Sequence, residues 1–262
     1  MNDIVTEIRK HIIYMTHYSK SSHVGACLSC VELLYALYFE VMKIDAQQPK
    51  SFDLFFLSKA HASAALYATL IERGLMPRSY LDQFYIDGGI LPGHLDKEVS
   101  PWIQFSGGSL GHGLSIALGT AIALKQKQSK NRVFVLLGDG ECNEGSVWEA
   151  VMLAGHLKMD NLTAIIDYNT WQAFGRVNEI IDQTNLAQRW SAFGWEVHEI
   201  DGHNVRNIVD VLKGKSSAPK VVIAHTVKGK GVSFMEDTLE WHYRSPNEQQ
   251  YKQAICELEG KI

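Results

Sequence analysis

Asp139 and Asn169 are the side chains in this sequence best suited to hold a hard metal ion. Each follows a short apolar run, at 133–137 and 162–166, and thirty residues separate them. One strand–helix–strand crossover occupies about that length. The spacing therefore places both residues at the carboxyl ends of parallel strands, the edge at which open α/β sheets bind ligands. A carboxylate and an amide carbonyl are oxygen ligands suited to Mg2+ or Ca2+. Gly138 and Gly140 flank Asp139. They let the backbone approach a diphosphate closely and offer N–H donors to it. A helix expected over 143–157 would point its N-terminus at the same anion. An isolated Gly-Asp-Gly is merely a turn; the strand before it, the helix after it and the Asn at this distance give it chemistry. Other phosphate loops fail. Gly214-Lys215-Ser216 has Val209 where a P-loop needs glycine, and Gly229-x-Gly231 has Phe234 where a third dinucleotide-binding glycine belongs.

A second set of candidates is histidine. His23, His61 and His94 sit among Ser, Ala, Gly and Pro in segments that read as loops or element ends. Such positions suit recognition of a neutral, hydroxyl-rich substrate by groups that both donate and accept hydrogen bonds. His11, His17, His156 and His198 read as packed or surface residues, and His203, in Asp201-Gly202-His203-Asn204, as part of a turn and helix start. His225 closes a strand, with no role read for it. Cys27 and Cys30 form a lone C-x-x-C without the second pair that zinc requires, so they read as buried thiols. Cys142 lies beside the Gly-Asp-Gly turn, where Glu141 would raise its pKa.

The elements that must position these residues follow from periodicity. Residues 3–19 have Ile4, Ile8, His11, Ile12 and Met15 on one face, with Asp3 as N-cap. Helices are expected over 29–43 and 114–125, and a buried strand over 54–57. The Gly-rich stretch 86–113 reads as a long functional loop. Apolar runs at 133–137, 162–166, 196–200 and 221–224 alternate with helical patterns, which predicts an α/β fold: a parallel sheet flanked by helices on both faces. With 25 basic and 29 acidic residues among 262, the net charge is -4, which excludes a general nucleic-acid field. No apolar stretch approaches the roughly 20 residues of a membrane span. The start, Met1-Asn2-Asp3-Ile4, lacks a signal-peptide pattern, and four cysteines are too few for a disulfide scaffold, so a cytoplasmic protein is expected.

The stretch from Gly138-Asp139-Gly140 to Asn169 resembles the cofactor motif of thiamine-diphosphate enzymes, and the rest of the chain narrows the resemblance to transketolases. Ser-x-His-x-Gly at 21–25, Ser-Lys-x-His at 58–61, Gly-His at 93–94, Gly-Ser-Leu-Gly-x-Gly at 108–113, Gly-Asp-Gly-Glu-x-x-Glu-Gly at 138–145, Thr-Val-Lys-Gly-Lys-Gly at 226–231 and Trp-His at 241–242 occur in that family's order. Each is weak alone; together they are specific and cover essentially the whole chain.

The resemblance implies thiamine diphosphate with Mg2+ or Ca2+ as cofactors, bound by residues 1–262 as a single domain. Asp139 and Asn169 would be metal ligands, with a backbone carbonyl from Trp171. Gly138, Gly140 and Asn169 would contact the diphosphate, and Gly108 and Leu110 would cradle the aminopyrimidine ring. Glu144 matches a family carboxylate behind the cofactor that links sites. His61 and His242 would handle protons near the diphosphate and reacting centre, while His23 and His94 position the sugar. Three departures stand out: Ser22 and Val24 around His23 in place of Gly and Pro, His112 in place of Gln, and Tyr243 in place of Gly after His242. Family transketolases also carry a second domain that binds the aminopyrimidine and supplies the activating glutamate. No second Gly-rich strand–helix series occurs here. The implied protein is the N-terminal subunit of a split transketolase, paired with a C-terminal subunit, two copies of each. It would transfer a two-carbon ketol unit from a ketose phosphate to an aldose. The alternatives are a related ketol-transferase subunit for a modified or secondary-metabolic sugar, a non-catalytic regulatory subunit, or a two-oxo-acid decarboxylating subunit.

Overall fold

The computed structural model describes residues 2–45 and 52–261. Among these, five parallel strands form one sheet: β1 (Leu54–Leu57), β2 (Val133–Gly138), β3 (Leu162–Tyr168), β4 (Glu196–Asp201) and β5 (Lys220–His225), in the order β1-β2-β3-β5-β4. The register pairs Leu136 with Ile165 and Ile165 with Val222, so the strands end level with one another. Successive side chains of one strand point to opposite faces. Val133, Val135 and Leu137 accordingly join one apolar cluster, and Phe134 and Leu136 the other. Both faces of the central strands are dry, which is why their sequences are continuously apolar rather than alternating. β4 lies at the edge and alternates more openly.

One face is covered by α1 (Asn2–Tyr18), α2 (Val24–Leu28), α3 (Val31–Tyr35), α4 (Ser63–Glu72) and α9 (Val205–Lys213), with α10 (Glu248–Leu258) packed on α1. The other is covered by α5 (His112–Gln126), α6 (Gly145–His156) and α8 (Leu186–Ala192). A single turn, α7 (Val177–Ile180), precedes α8. The parallel sheet with helices on both faces is thus as the apolar pattern predicts.

Several boundaries differ from the sequence reading. α1 starts at Asn2, so Asp3 lies in the first helical turn instead of capping it. The expected helix over 29–43 is broken: α2 ends at Leu28, α3 begins after Cys30, and Ala36–Val41 winds as a π-helical turn. The helix expected from 143 begins at Gly145, because Gly140–Asn143 forms a 3-10 turn and Glu144 is extended. That turn points Glu141 inward, where its carboxylate accepts from Gly111 N (2.8 Å), Gly138 N (3.2 Å) and the Ser58 hydroxyl. α5 begins two residues before the expected 114, immediately after Gly111, whose φ of 83° suits glycine.

Candidate active site

Every strand but edge strand β4 delivers a site segment at the carboxyl edge of the sheet. β1 leads into Ser58–His61, β2 into Gly138–Glu141, β3 into Asn169–Trp171 and β5 into Thr226–Lys228. One cavity of about 480 Å³ opens there, and His23, His61, His94, Gly108, Leu110, Gly138, Asp139, Gly140, Glu144, Asn169, Trp171 and His242 all lie on its wall. Every residue that the sequence analysis singles out for this site is therefore brought together.

The histidines form a cluster. The His23 ring centroid lies 4.9 Å from His242, 5.3 Å from His61 and 6.0 Å from His94. His23 holds a left-handed backbone (φ 73°) just before α2, a conformation uncommon for a side chain with a Cβ. Its N–H donates to the His242 carbonyl (3.0 Å), tying the start of the chain to the Glu240–His242 turn. Ser22 Oγ lies 2.9 Å from His23 Nδ1, so the serine that departs from the family pattern orients this ring. Lys228 Nζ lies 3.2 Å from His242 Nδ1; an ammonium only donates, so Nδ1 accepts and Nε2 carries the proton. Burial, then the charges nearby, depresses all three ring pKa values: His23 to about 4, His242 to about 3 and His61 well below the ordinary value. These rings are neutral near pH 7, in the form that both donates and accepts.

The oxygen ligands are held from behind. Asp139 is buried, and its two carboxylate oxygens accept from Gly140 N (2.7 Å) and Thr170 N (2.6 Å). Burial and the nearby Asp167 raise its pKa to about 7, a cost that a cation at the carboxylate reverses. Asn169 Nδ2 faces Asp167 Oδ2 (3.3 Å) and Ser29 Oγ (3.4 Å). Asp167 can only accept, so the amide is fixed with its NH2 inward, and Oδ1, which takes Trp171 N–H at 3.1 Å, is the group left for a ligand.

The site also contains residues with no motif to mark them. Lys59 and Lys228 are both 1% exposed and line the cavity. Lys59 donates to the Ala26 carbonyl (3.0 Å) and pairs with Asp167, which also accepts from Ser29 and Thr226. Burial opposes charge on Lys59, but Asp167 beside it outweighs that and holds the lysine above its ordinary pKa. Lys228 has no such carboxylate partner among the described residues, and burial and the Lys59 charge lower it to about 8. Gln183, also buried, donates to the Asp139 carbonyl and to Asn143 Oδ1, both at 2.8 Å.

Residues 1–257 match the family model described as transketolase, thiamine diphosphate binding domain. The chain belongs to the transketolase family. It is 40% identical over 259 residues to one of the two-chain relatives, a subunit of the apulose-4-phosphate transketolase of Phocaeicola vulgatus, covering 97% of this chain and 92% of that protein. It is 42% identical to a 6-deoxy-6-sulfo-D-fructose transketolase subunit of a Clostridium species, covering 90% and 88%. The crystal structure of Campylobacter jejuni transketolase superposes with a TM-score of 0.90 at 28% identity; 98% of this chain covers 43% of that one. The transketolase chain thus spans nearly the full length of these separate subunits and less than half of the single-chain enzyme.

Two readings of this transketolase chain need correction or completion. The α9 start is capped by Asn204, which accepts from Asn207 N (3.1 Å); the His203 ring turns inward to Glu32 and Val227 instead. His225, whose sequence context carries no role, is exposed and pairs with Glu199 (3.0 Å). The departing residue Tyr243 donates from its phenol to the Ala173 carbonyl (2.6 Å) at the cavity edge, and His112 is exposed at the first turn of α5. Cys27 and Cys30 are buried free thiols as expected, and Cys142 is held as a thiol by burial and by Glu141.

Proposed function

We propose that this chain is the N-terminal subunit of a two-chain transketolase that transfers a two-carbon ketol unit from a ketose phosphate to an aldose. Residues 1–262 would form its thiamine diphosphate- and Mg2+-binding domain. The observation that carries the reading is the convergence of four motif histidines, the Asp139/Asn169 pair and two buried lysines on one cavity at the sheet edge. The donor set suits a metal-bound diphosphate. Among the described residues no group of three or more His, Cys, Asp or Glu is placed to hold an ion alone. One carboxylate, one amide oxygen and the Trp171 carbonyl leave ligand positions for diphosphate oxygens around an octahedral Mg2+. A Cβ at Gly138 meets nothing within 4 Å, and at Gly108 only His94 Cδ2 at 4.0 Å, which supports a cradle open to a ligand.

Thiamine diphosphate, when bound, supplies the carbon nucleophile and electron sink for ketol transfer. The chain's part is to hold and polarise. Lys228, and Lys59 behind it, offset diphosphate charge. Neutral His23 and His94 orient sugar hydroxyls, and His61 and His242 move protons at the substrate oxygens, His242 through Nε2–H. The partner would supply the aminopyrimidine-binding domain and activating glutamate, in an assembly of two copies of each chain. Exposed Ile116 on α5 and Met152 and Leu153 on α6 offer it an apolar face. Free cysteines throughout favour the reducing cytoplasm as its location.

A modified sugar is the second reading. Tyr243 bound to Ala173 narrows the cavity edge, and two relatives are named for uncommon sugars. The test is a coupled assay on the chain alone and mixed with a C-terminal partner, containing thiamine diphosphate, Mg2+, xylulose 5-phosphate and ribose 5-phosphate. Activity only in the mixture supports the split enzyme. A mixture that binds cofactor but leaves these sugars untouched, and turns over apulose 4-phosphate or a sulfonated ketose, establishes the second reading.

A further inference from the structure

Behind the cavity wall, His203 joins the start of α9 to the loop that follows β5. Its Nδ1 lies 3.0 Å from Glu32 Oε2, and Val227 N–H donates to its Nε2 at 2.9 Å. A carboxylate only accepts and a backbone N–H only donates. The two partners therefore admit one form of the ring, neutral with the proton on Nδ1. Glu32 is buried on α3 and accepts two bonds from Arg9 Nη2 (2.7 and 2.9 Å), while Arg9 Nε donates to the Lys230 carbonyl (2.9 Å). The Arg9–Glu32–His203 network thus grips the loop at Val227 and at Lys230, one residue before and two after Lys228.

Lys228 is the loop's contribution to the cavity. A Cβ placed on Gly25 would lie 3.1 Å from its Cγ and 3.3 Å from its Cε, so the lysine stem runs close along the α2 backbone. The Gly229 N–H donates to the Gly25 carbonyl (2.9 Å). A lysine carries several rotatable bonds, and its head is aimed only if its backbone is fixed. Here the fixing group is a side chain that does not itself line the cavity.

We propose that His203 is a positioning residue for this site: through Val227 it sets the backbone of the 226–230 loop and so aims the Lys228 ammonium at the cofactor's diphosphate and at His242. The inference rests on the reading of Lys228 as the diphosphate cation. It assigns a function to a residue whose sequence context points only to a turn.

The experiment compares His203→Gln with His203→Leu in the reconstituted two-chain complex, reading thiamine diphosphate affinity in the presence of Mg2+ by tryptophan fluorescence. Glutamine can accept from Val227 with Oε1 and donate to Glu32 with Nε2; leucine keeps bulk and loses both bonds. Leucine is expected to weaken binding about tenfold, and glutamine less than about threefold. In a Lys228→Met background the leucine effect should shrink below about twofold, because the two residues act on one interaction. Equal losses for Gln and Leu, or an undiminished Leu effect in the Lys228→Met background, overturn the positioning role. Unchanged affinity in Lys228→Met alone removes the Lys228 reading itself, a separate failure. Should the leucine variant not fold, imidazole 15N shifts of the unmodified protein decide: a proton on Nδ1 with Nε2 bare is expected, and a proton on Nε2 overturns the proposal.

Discussion

At the residue scale the site combines neutral imidazoles with buried charge. His23 and His242, depressed to about 4 and 3, stay neutral in the fold where the unfolded chain takes up protons near pH 6.5. Their contribution to stability is therefore complete above pH 6.5 and is lost as the pH falls from there toward 4. Tm should drop across that window, and a His23→Gln/His242→Gln variant should show a shallower drop by calorimetry. Lys228 has the opposite tension. Its pKa of about 8 lies below the ordinary lysine value, so at neutral pH the ligand-free fold carries a disfavoured charge. Stability should rise with pH between about 8 and 10.5, where only the unfolded chain binds the proton. Lys228→Met should raise the Tm of the ligand-free chain at pH 7 by about 2–4 °C, while diphosphate binding weakens. Asp139→Ala should reduce Mg2+-dependent cofactor affinity by at least about 100-fold; unchanged affinity by isothermal titration would remove it from the ligand set. The motif residues are legible in the sequence because glycine spacing and strand ends betray them. Lys59, Asp167 and Lys228 are not: nothing in Leu57-Ser58-Lys59 tells whether a lysine reaches solvent. That depends on what the fold stacks above it, here the Asp167 carboxylate and the backbone of α2.

At the scale of elements, close backbone approach decides what the sequence tolerates. α6 packs on the turn before β4 so tightly that a Cβ on Gly155 would lie 1.8 Å from the Phe193 carbonyl oxygen. No rotamer relieves a backbone contact. Gly155→Ala should destabilise the chain by about 3 kcal/mol or more, read from urea unfolding. Strand ends are legible to within two residues because burial on both faces leaves a continuous apolar run. The broken helix after residue 24 and the 3-10 turn after Asp139 are not legible. Both arise from tertiary demands, His23 having to face the cavity and Glu141 having to reach Gly111 and Ser58. Local propensity contains neither requirement.

For the whole molecule, α5 and α6 present an apolar face beside the cavity mouth, where Phe174 is 86% exposed. A Met152→Glu/Leu153→Glu variant should weaken assembly with the partner about 100-fold or more by light scattering, while the Tm of the isolated chain moves less than about 2 °C. The bond from His23 N–H to the His242 carbonyl has a consequence of another kind. It joins positions near the two extremes of the chain, and the cavity between them is walled by segments from at least six separate stretches of sequence. Contacts so distant along the chain close late, after the loop entropy between them has been overcome. During synthesis the N-terminal helices can dock long before residue 242 leaves the ribosome, so the histidine cluster assembles only when the last turn arrives. Cofactor binding then reports a finished fold, and a chain cut short before that turn would keep most of its core and none of its aim.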